Sequence, residues 1–213
     1  MGPSSLNKLL LPLVVDASVV INLNASGSAA EVLRAVPNPV LVVSVVIDEL
    51  RAPTQSRRND AGLLARLVGE GLIAEVSIED LKQDHFERLV LGDDADTLDD
   101  GEAATIAYAV EKQGVAIIDE RKAKRICQAR FTQLHVASTI DLIGLDVVAS
   151  ALGPQLHAES VFKALVNGRM RVLPEHLDWV VRLIGTERAA QCLSLPAHAR
   201  LAKSFLGNCT LRF

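Results

Sequence analysis

The sequence has few aromatic residues and few cysteines, and it lacks a long apolar run. Aromatic residues make up 3% of the 213 positions, so the chain offers no aromatic platform for stacking single-stranded bases. Its three cysteines, Cys127, Cys192 and Cys209, have no metal-ligand spacing and cannot all pair within one chain. We therefore expect reduced, buried thiols in a reducing compartment.

The sequence lacks a membrane span and a strong net charge, which excludes membrane proteins and general polyanion binders. The apolar run from Leu9 to Val15 is too short for the ~20 residues that a span needs, and a single Lys8 makes a weak signal peptide. The sequence thus predicts a cytoplasmic protein without membrane contact. A net charge of −4 excludes a general polyanion binder but allows a local basic patch.

Apolar, β-branched segments alternate with helical ones up to about residue 150. The predicted strands are LPLVVD (11–16), VLVVS (40–44), LIAEVSI (72–78), VAIID (115–119) and QLHVAS (133–138). Continuous apolar strands need cover on both faces, so the pattern predicts an α/β fold with three layers, α/β/α, around a central parallel sheet. Residues 1–150 would form this domain. Residues 151–213 would form a helical extension packed on it or appended to it, with RMRVLP (169–174) as one short strand.

Acidic residues gather where the predicted strands end or where the neighbouring helices begin. They are Asp16, Glu49, Asp99, Asp100, Glu102, Asp119 and Glu120. Because ligands of a parallel sheet bind outside the carboxyl ends of its strands, these acids should meet at one edge. Carboxylates crowded together repel each other, and a divalent cation removes that conflict. Oxygen ligands favour Mg²⁺ or Mn²⁺, which support phosphodiester hydrolysis.

Helix capping is the alternative explanation for each acid taken alone. Asp99 and Glu102 have the spacing of a capping pair, Asp16 precedes a helix, and Asp119 stands before another. Capping explains one acid as well as metal binding does, but it does not explain why all of them fall at equivalent ends.

Basic residues lie close to the same positions. They are Arg51, Arg57, Arg58, Arg121, Lys122, Lys124, Arg125 and Arg130. A phosphate backbone at the acidic edge would need such charges, and Arg121 is the best candidate for a substrate contact. Ser18 could hydrogen-bond a water beside the metal. A solvated helix face and a plain N-cap are the respective alternatives.

Four segments resemble the signature of PIN-domain nucleases. They are VVDASVVINL, VVIDEL, LDDGEAATIAYA and AIIDERKAKRI, in that order within about residues 11–150. The resemblance is strongest to the branch in which a GEA triplet opens the third segment. It implies an Mg²⁺- or Mn²⁺-dependent endoribonuclease acting on RNA, and the toxin of a type II toxin–antitoxin pair with an antitoxin as partner.

The resemblance also implies residue roles. The implied catalytic metal ligands are Asp16, Glu49, Glu102 and Asp119, with Asp100 and Glu120 as further metal ligands and Ser18, Arg121 and Lys122 as substrate contacts. Two positions depart from the family pattern. Glu102 stands where most members have Asp, and Ile-Asp-Glu-Arg replaces Thr-x-Asp, so either Asp119 or Glu120 is the fourth acid.

Two other functions compete with this one. The longer Glu102 side chain and the C-terminal extension also suit an inactive or weakly active PIN-like module that binds nucleic acid or protein. A phosphatase of the haloacid-dehalogenase kind would need a second Asp two residues after Asp16, where Ser18 stands. The apolar helix SAAEVLRAV (28–36) is a possible homodimer surface.

Overall fold

Parallel strands form the centre of the molecule. The computed structural model describes residues 6, 10–52, 59–80, 83–91 and 97–201. The strands in these ranges are β1 (Leu13–Val15), β2 (Val40–Val43), β3 (Ala74–Val76), β4 (Val115–Ile117) and β5 (His135–Ala137). They pair in the order β3-β2-β1-β4-β5, and every pairing is parallel.

Helices connect and cover these strands. In the described ranges the first six are α1 (Ala17–Ser26), α2 (Ala29–Ala35), α3 (Ser44–Arg51), α4 (Asp60–Gly69), α5 (Gln83–Val90) and α6 (Asp100–Glu111). The next six are α7 (Arg121–Arg130), α8 (Thr139–Ile143), α9 (Asp146–Asn167), α10 (Leu177–Ile184), α11 (Thr186–Gln191) and α12 (Ala197–Arg200). Single 3₁₀ turns lie at Ile78–Asp80 and Pro174–His176.

The central strand β1 sends alternate side chains into two separate cores. Leu13 and Val15 pack in a core formed with α1, α2, α3, α4, α8 and α9. Val14 points the opposite way, into a core formed with α5, α6 and α7. All three residues are fully buried. The predicted three-layer α/β/α fold with a parallel sheet is therefore confirmed.

The strand order creates a crevice between β1 and β4. From β1 the chain proceeds to β2 and β3 on one side of the sheet, whereas β4 and β5 lie on the other side. The connections that leave β1 and β4 therefore run in opposite directions and open a cleft at the carboxyl ends of the strands. Asp16 and Asp119 come just after these two strands.

The helix α9 joins the C-terminal region to the first helices. It kinks at Gly153, which has a φ of +71° before Pro154. Beyond the kink, the hydroxyl of Ser160 donates to Ser28 Oγ at 2.9 Å, and Val161 packs in the core of β1. Residue 150 falls inside α9, so the division into residues 1–150 and 151–213 stays a prediction. The apolar residues of α2 pack in this same core, which leaves the homodimer a prediction as well.

The predicted strand at residues 169–174 is wrong. Met170 and Val172 are buried while Arg169 and Arg171 are exposed, so the alternation that suggested a strand is present. Within the described residues this segment pairs with no strand, and its backbone is irregular. Pro174, which has no N–H to donate, then starts a 3₁₀ turn.

A buried pair ties this segment to α8. His176 Nε2 lies 3.1 Å from Asp141 Oδ1, and both side chains are buried. Asp141 also caps α8, because its Oδ2 accepts hydrogen bonds from the backbone N–H and the hydroxyl of Ser138. Burial alone would raise the pKa of Asp141, but the hydrogen bonds from His176 and Ser138 outweigh it and hold the pKa below its usual value.

No helix in the described ranges is both long and apolar enough to span a bilayer.

Cys127 and Cys192 are buried free thiols, as predicted for these two, and Cys209 lies outside the described residues. Burial, with the nearby charge of Glu102, raises the pKa of the Cys127 thiol to about 12. This thiol is therefore unreactive at neutral pH.

Candidate active site

Asp16 stands at the mouth of the crevice as the N-cap of α1. Its Oδ2 accepts hydrogen bonds from the backbone N–H of Ser18 at 3.2 Å and from the Ser18 hydroxyl at 2.8 Å. The side chain is 4% exposed. Burial raises the pKa of Asp16 to about 6, with a smaller contribution from the charge of Asp99, against the Ser18 hydrogen bonds. Asp16 therefore both caps α1 and lies at the crevice.

The start of α6 brings two further acids to the crevice. Asp99 is the N-cap of α6, and its Oδ1 accepts a hydrogen bond from the Glu102 backbone N–H at 2.9 Å. The Glu102 carboxyl is largely buried. Burial raises its pKa to about 8, assisted by the negative charges of Asp99, Asp16 and Glu120. These four acids therefore lie within electrostatic reach of one another.

Glu49 approaches the same point from α3. Its carboxylate fills the space beside Gly101, so that a Cβ at Gly101 would collide with Glu49 Oε2 and would lie 3.7 Å from Asp99 Oδ1. The adjacent Asp48 is exposed and pairs with Arg51 at 3.3 Å instead. Glu49 therefore faces Gly101 and Asp99, whereas Asp48 points toward solvent. We call Asp16, Glu49, Asp99 and Glu102 the acid cluster.

Asp119 is buried, and its carboxylate accepts hydrogen bonds from residues outside the acid cluster. Its Oδ1 accepts from the Thr139 N–H at 2.8 Å, and its Oδ2 accepts from Thr139 Oγ1 and Asn22 Nδ2, both at 2.6 Å. Burial raises the pKa of Asp119, while these hydrogen bonds and the charge of Lys124 oppose the rise. All its hydrogen bonds come from α1 and α8, so Asp119 links the end of β4 to these two helices.

The next residue, Glu120, lies within electrostatic reach of the acid cluster. Its charge contributes to the raised pKa of Glu102, and its carboxylate forms an ion pair with Arg171. Asp100 lies exposed in the first turn of α6. Sequence reasoning placed Asp99 at the acidic edge but did not assign it to the site, because its spacing to Glu102 is also that of an N-cap.

A family model described as a PIN domain matches residues 12–186. The chain belongs to the PIN-domain family. The match confirms the resemblance of the four sequence segments, and it continues beyond residue 150 through α10. PIN domains are generally nucleases and typically use divalent metal ions. Comparison with curated proteins found no significant match. Comparison with solved structures likewise found none.

The donor chemistry of this PIN domain fits a hard divalent cation. Its acid cluster consists of carboxylates without Cys or His, and the pKa values of Asp16 and Glu102 are raised by burial and like charge. A cation beside them would reverse that penalty. In the described residues, no three His, Cys, Asp or Glu side chains are already arranged to hold a metal ion together. Binding would therefore require these carboxylates to rotate toward the ion.

Basic residues of the PIN domain adjoin the crevice through α7. Arg121 is exposed at the first position of α7, directly after Glu120, and Lys122 follows it half-buried. Lys124 points inward, where burial lowers its pKa despite the charges of Asp119 and Asp141. At the far end of α7, Arg130 donates to the backbone carbonyl of Arg88. The predicted basic residues Arg57 and Arg58 lie outside the described residues.

Proposed function

We propose that this PIN domain is a divalent-metal-dependent endoribonuclease that hydrolyses RNA phosphodiester bonds. The observation that carries the proposal is the acid cluster at the switch point of the sheet. Four carboxylates gather there, from the end of β1, from α3 and from the start of α6, and two of them have strongly raised pKa values. Structural carboxylates are ordinarily solvated or paired with cations, whereas an unfavourable cluster of this kind indicates a functional site.

Asp16, Glu49 and Glu102 would hold Mg²⁺ or Mn²⁺, with Asp99 and Glu120 beside them. A bound metal of this type lowers the pKa of water and stabilises negative charge on a phosphoryl group. Ser18 fixes the rotamer of Asp16 through its two hydrogen bonds. Arg121 and Lys122 would neutralise the RNA backbone next to the cluster. Asp119 would act through position, by anchoring the end of β4 against α1 and α8.

Metal addition provides the direct test. We expect Mn²⁺ at millimolar concentration to raise the melting temperature of the protein by several degrees, because it relieves repulsion in the acid cluster. Cleavage of a labelled single-stranded RNA should start with Mg²⁺ or Mn²⁺ and stop with EDTA. Calcium at equal ionic strength serves as the control for nonspecific charge screening. An unchanged melting temperature together with metal-independent cleavage would contradict the proposal.

The resemblance extends the proposal to the toxin of a type II toxin–antitoxin pair. Expression of the wild-type chain in a bacterial host should then arrest growth, because cellular RNA is degraded. Expression of Asp16→Asn at the same level should not, and a short overlapping reading frame beside the gene should rescue growth when coexpressed. Growth unaffected by soluble, RNA-cleaving wild-type protein would contradict the toxin role while leaving the nuclease proposal intact.

One observation favours a second candidate, a nucleic-acid-binding module without cleavage. The described residues contain no preformed group of three metal ligands, and Asp119 is occupied by hydrogen bonds. Such a module would bind RNA equally well with EDTA present and would leave it uncut. The metal titration therefore separates the two candidates.

A further inference from the structure

A pocket of about 540 Å³ lies between the start of α7 and the C-terminal helices α10 and α12. Its walls are aliphatic, with Val172, Leu177, Val181 and Ala199 contributing side chains. The volume exceeds that of a nucleobase and suits a whole nucleotide. None of these four side chains belongs to the acid cluster, so the pocket is a separate surface.

Two arginines lie at this pocket. Arg121 and Arg182 line it, with Asp178 as the acid among the described lining residues. Arg121 and Arg182 are both exposed, and neither forms an ion pair with another described residue. Two unpaired guanidinium groups beside an aliphatic cavity favour a ligand with an anionic part and a flat, weakly polar part.

The pocket adjoins the acid cluster along the chain itself. Arg121 follows Glu120, whose charge reaches Glu102. Glu120 also pairs with Arg171, and the next residue, Val172, lines the pocket. The pocket is therefore linked to the acid cluster through Glu120, along a path that a polynucleotide bound at the cluster can follow.

We propose that this pocket binds one nucleotide of the RNA next to the cleaved bond. The base packs between the aliphatic wall and the planes of the guanidinium groups, which stack on bases as aromatic rings do. Arg121 and Arg182 contact the flanking phosphates. Asp178 supplies one negative charge for the two arginines, so an apolar peptide would leave positive charge uncompensated, and a nucleotide fits better. The inference rests on the proposed function, since it assigns a subsite to the same substrate.

The test measures RNA affinity without cleavage. In an Asp16→Asn background with Mg²⁺, the dissociation constant of a fluorescent single-stranded RNA is measured by anisotropy. We expect Arg182→Ala to raise it about tenfold and to reduce the salt dependence of binding by about one phosphate contact. Val181→Trp, which fills the cavity, should weaken binding similarly. Arg66→Ala is the matched control, because Arg66 is an exposed arginine on α4 that pairs with Glu70.

Melting temperatures confirm that each variant is folded. RNA affinity equal to that of the parent in both Arg182→Ala and Val181→Trp would overturn the inference. That result is also expected if a protein segment, and not RNA, occupies the pocket. If wild-type protein nevertheless cleaves RNA with metal, the proposed function stands and only the subsite fails. If the pocket variants lose affinity but wild-type protein never cleaves, the subsite stands and the nuclease proposal fails.

Discussion

Asp16→Asn should reduce RNA cleavage by ~10²-fold or more while leaving the protein at least as stable as the wild type. The loss follows from removal of a carboxylate that would ligate the metal. Stability is preserved because Asn is as good an N-cap as Asp, so the amide oxygen can still accept from the Ser18 N–H. Initial rates on a labelled RNA and thermal melts of both proteins measure the two effects.

The pH dependence of this stability difference gives an independent check. The pKa of Asp16 is about 6 in the native state, because burial raises it from its ordinary value of 3.8. The native state therefore holds its proton more tightly, and wild-type stability falls as pH rises from about 4 through about 6. Asn does not titrate, so the stability of the variant relative to wild type should rise over this range, by about 3 kcal/mol once pH exceeds 7.

Asp48→Asn is the control that separates the loss of a negative charge from the loss of a metal ligand. Asp48→Asn changes a carboxylate on α3 that is exposed and points away from the acid cluster, toward Arg51. It should cleave RNA at the wild-type rate and show no pH-dependent gain. Equal cleavage by Asp16→Asn and wild type would remove Asp16 from the site.

Asp119→Ala should lower the free energy of unfolding by about 3 kcal/mol or more. This is a much larger loss than we expect for Glu120→Gln at the next position. The substitution leaves the Thr139 N–H, the Thr139 hydroxyl and the Asn22 amide without their buried acceptor. Asn22 Oδ1 has no hydrogen-bond partner among the described residues, so this side chain gains nothing in compensation. Urea denaturation followed by circular dichroism measures the loss.

Glu120→Gln is the control for that experiment, and it also decides which residue is the fourth acid. The ion pair of Glu120 with Arg171 is largely exposed, so its removal should cost less than about 1 kcal/mol. If Glu120 contributes to metal binding, Glu120→Gln lowers cleavage at unchanged stability. Equal losses of stability in both variants would contradict the anchoring role of Asp119.

The sequence was sufficient to predict where most acids lie along the fold. An apolar run that ends at Asp16 is typical of a buried strand, and the switch to helical periodicity predicts the turn that carries the residue. The same reasoning placed Glu49 and Glu102 near the strand ends, because backbone direction in a parallel sheet follows from element order. The family match supports the fold that these patterns predict.

Side-chain direction was beyond what the sequence could predict. Asp119 has the expected position after β4, yet its carboxylate turns toward Asn22 and Thr139, which are 97 and 20 residues away along the chain. Such partners depend on the packing of α1 and α8, which no local pattern specifies. Asp99 was expected at the acidic edge but was not assigned to the site, since its spacing to Glu102 also explains it as an N-cap.

The packing of α9 on the first helices has a consequence for synthesis on the ribosome. Ser160 and Ser28, which hydrogen-bond in the folded protein, are 132 residues apart. As the nascent chain emerges, the apolar face of α1 and α2 that packs against α9 stays exposed until α9 has been translated. Asp16 is fixed at the head of α1, so the acidic edge becomes ordered only late in translation.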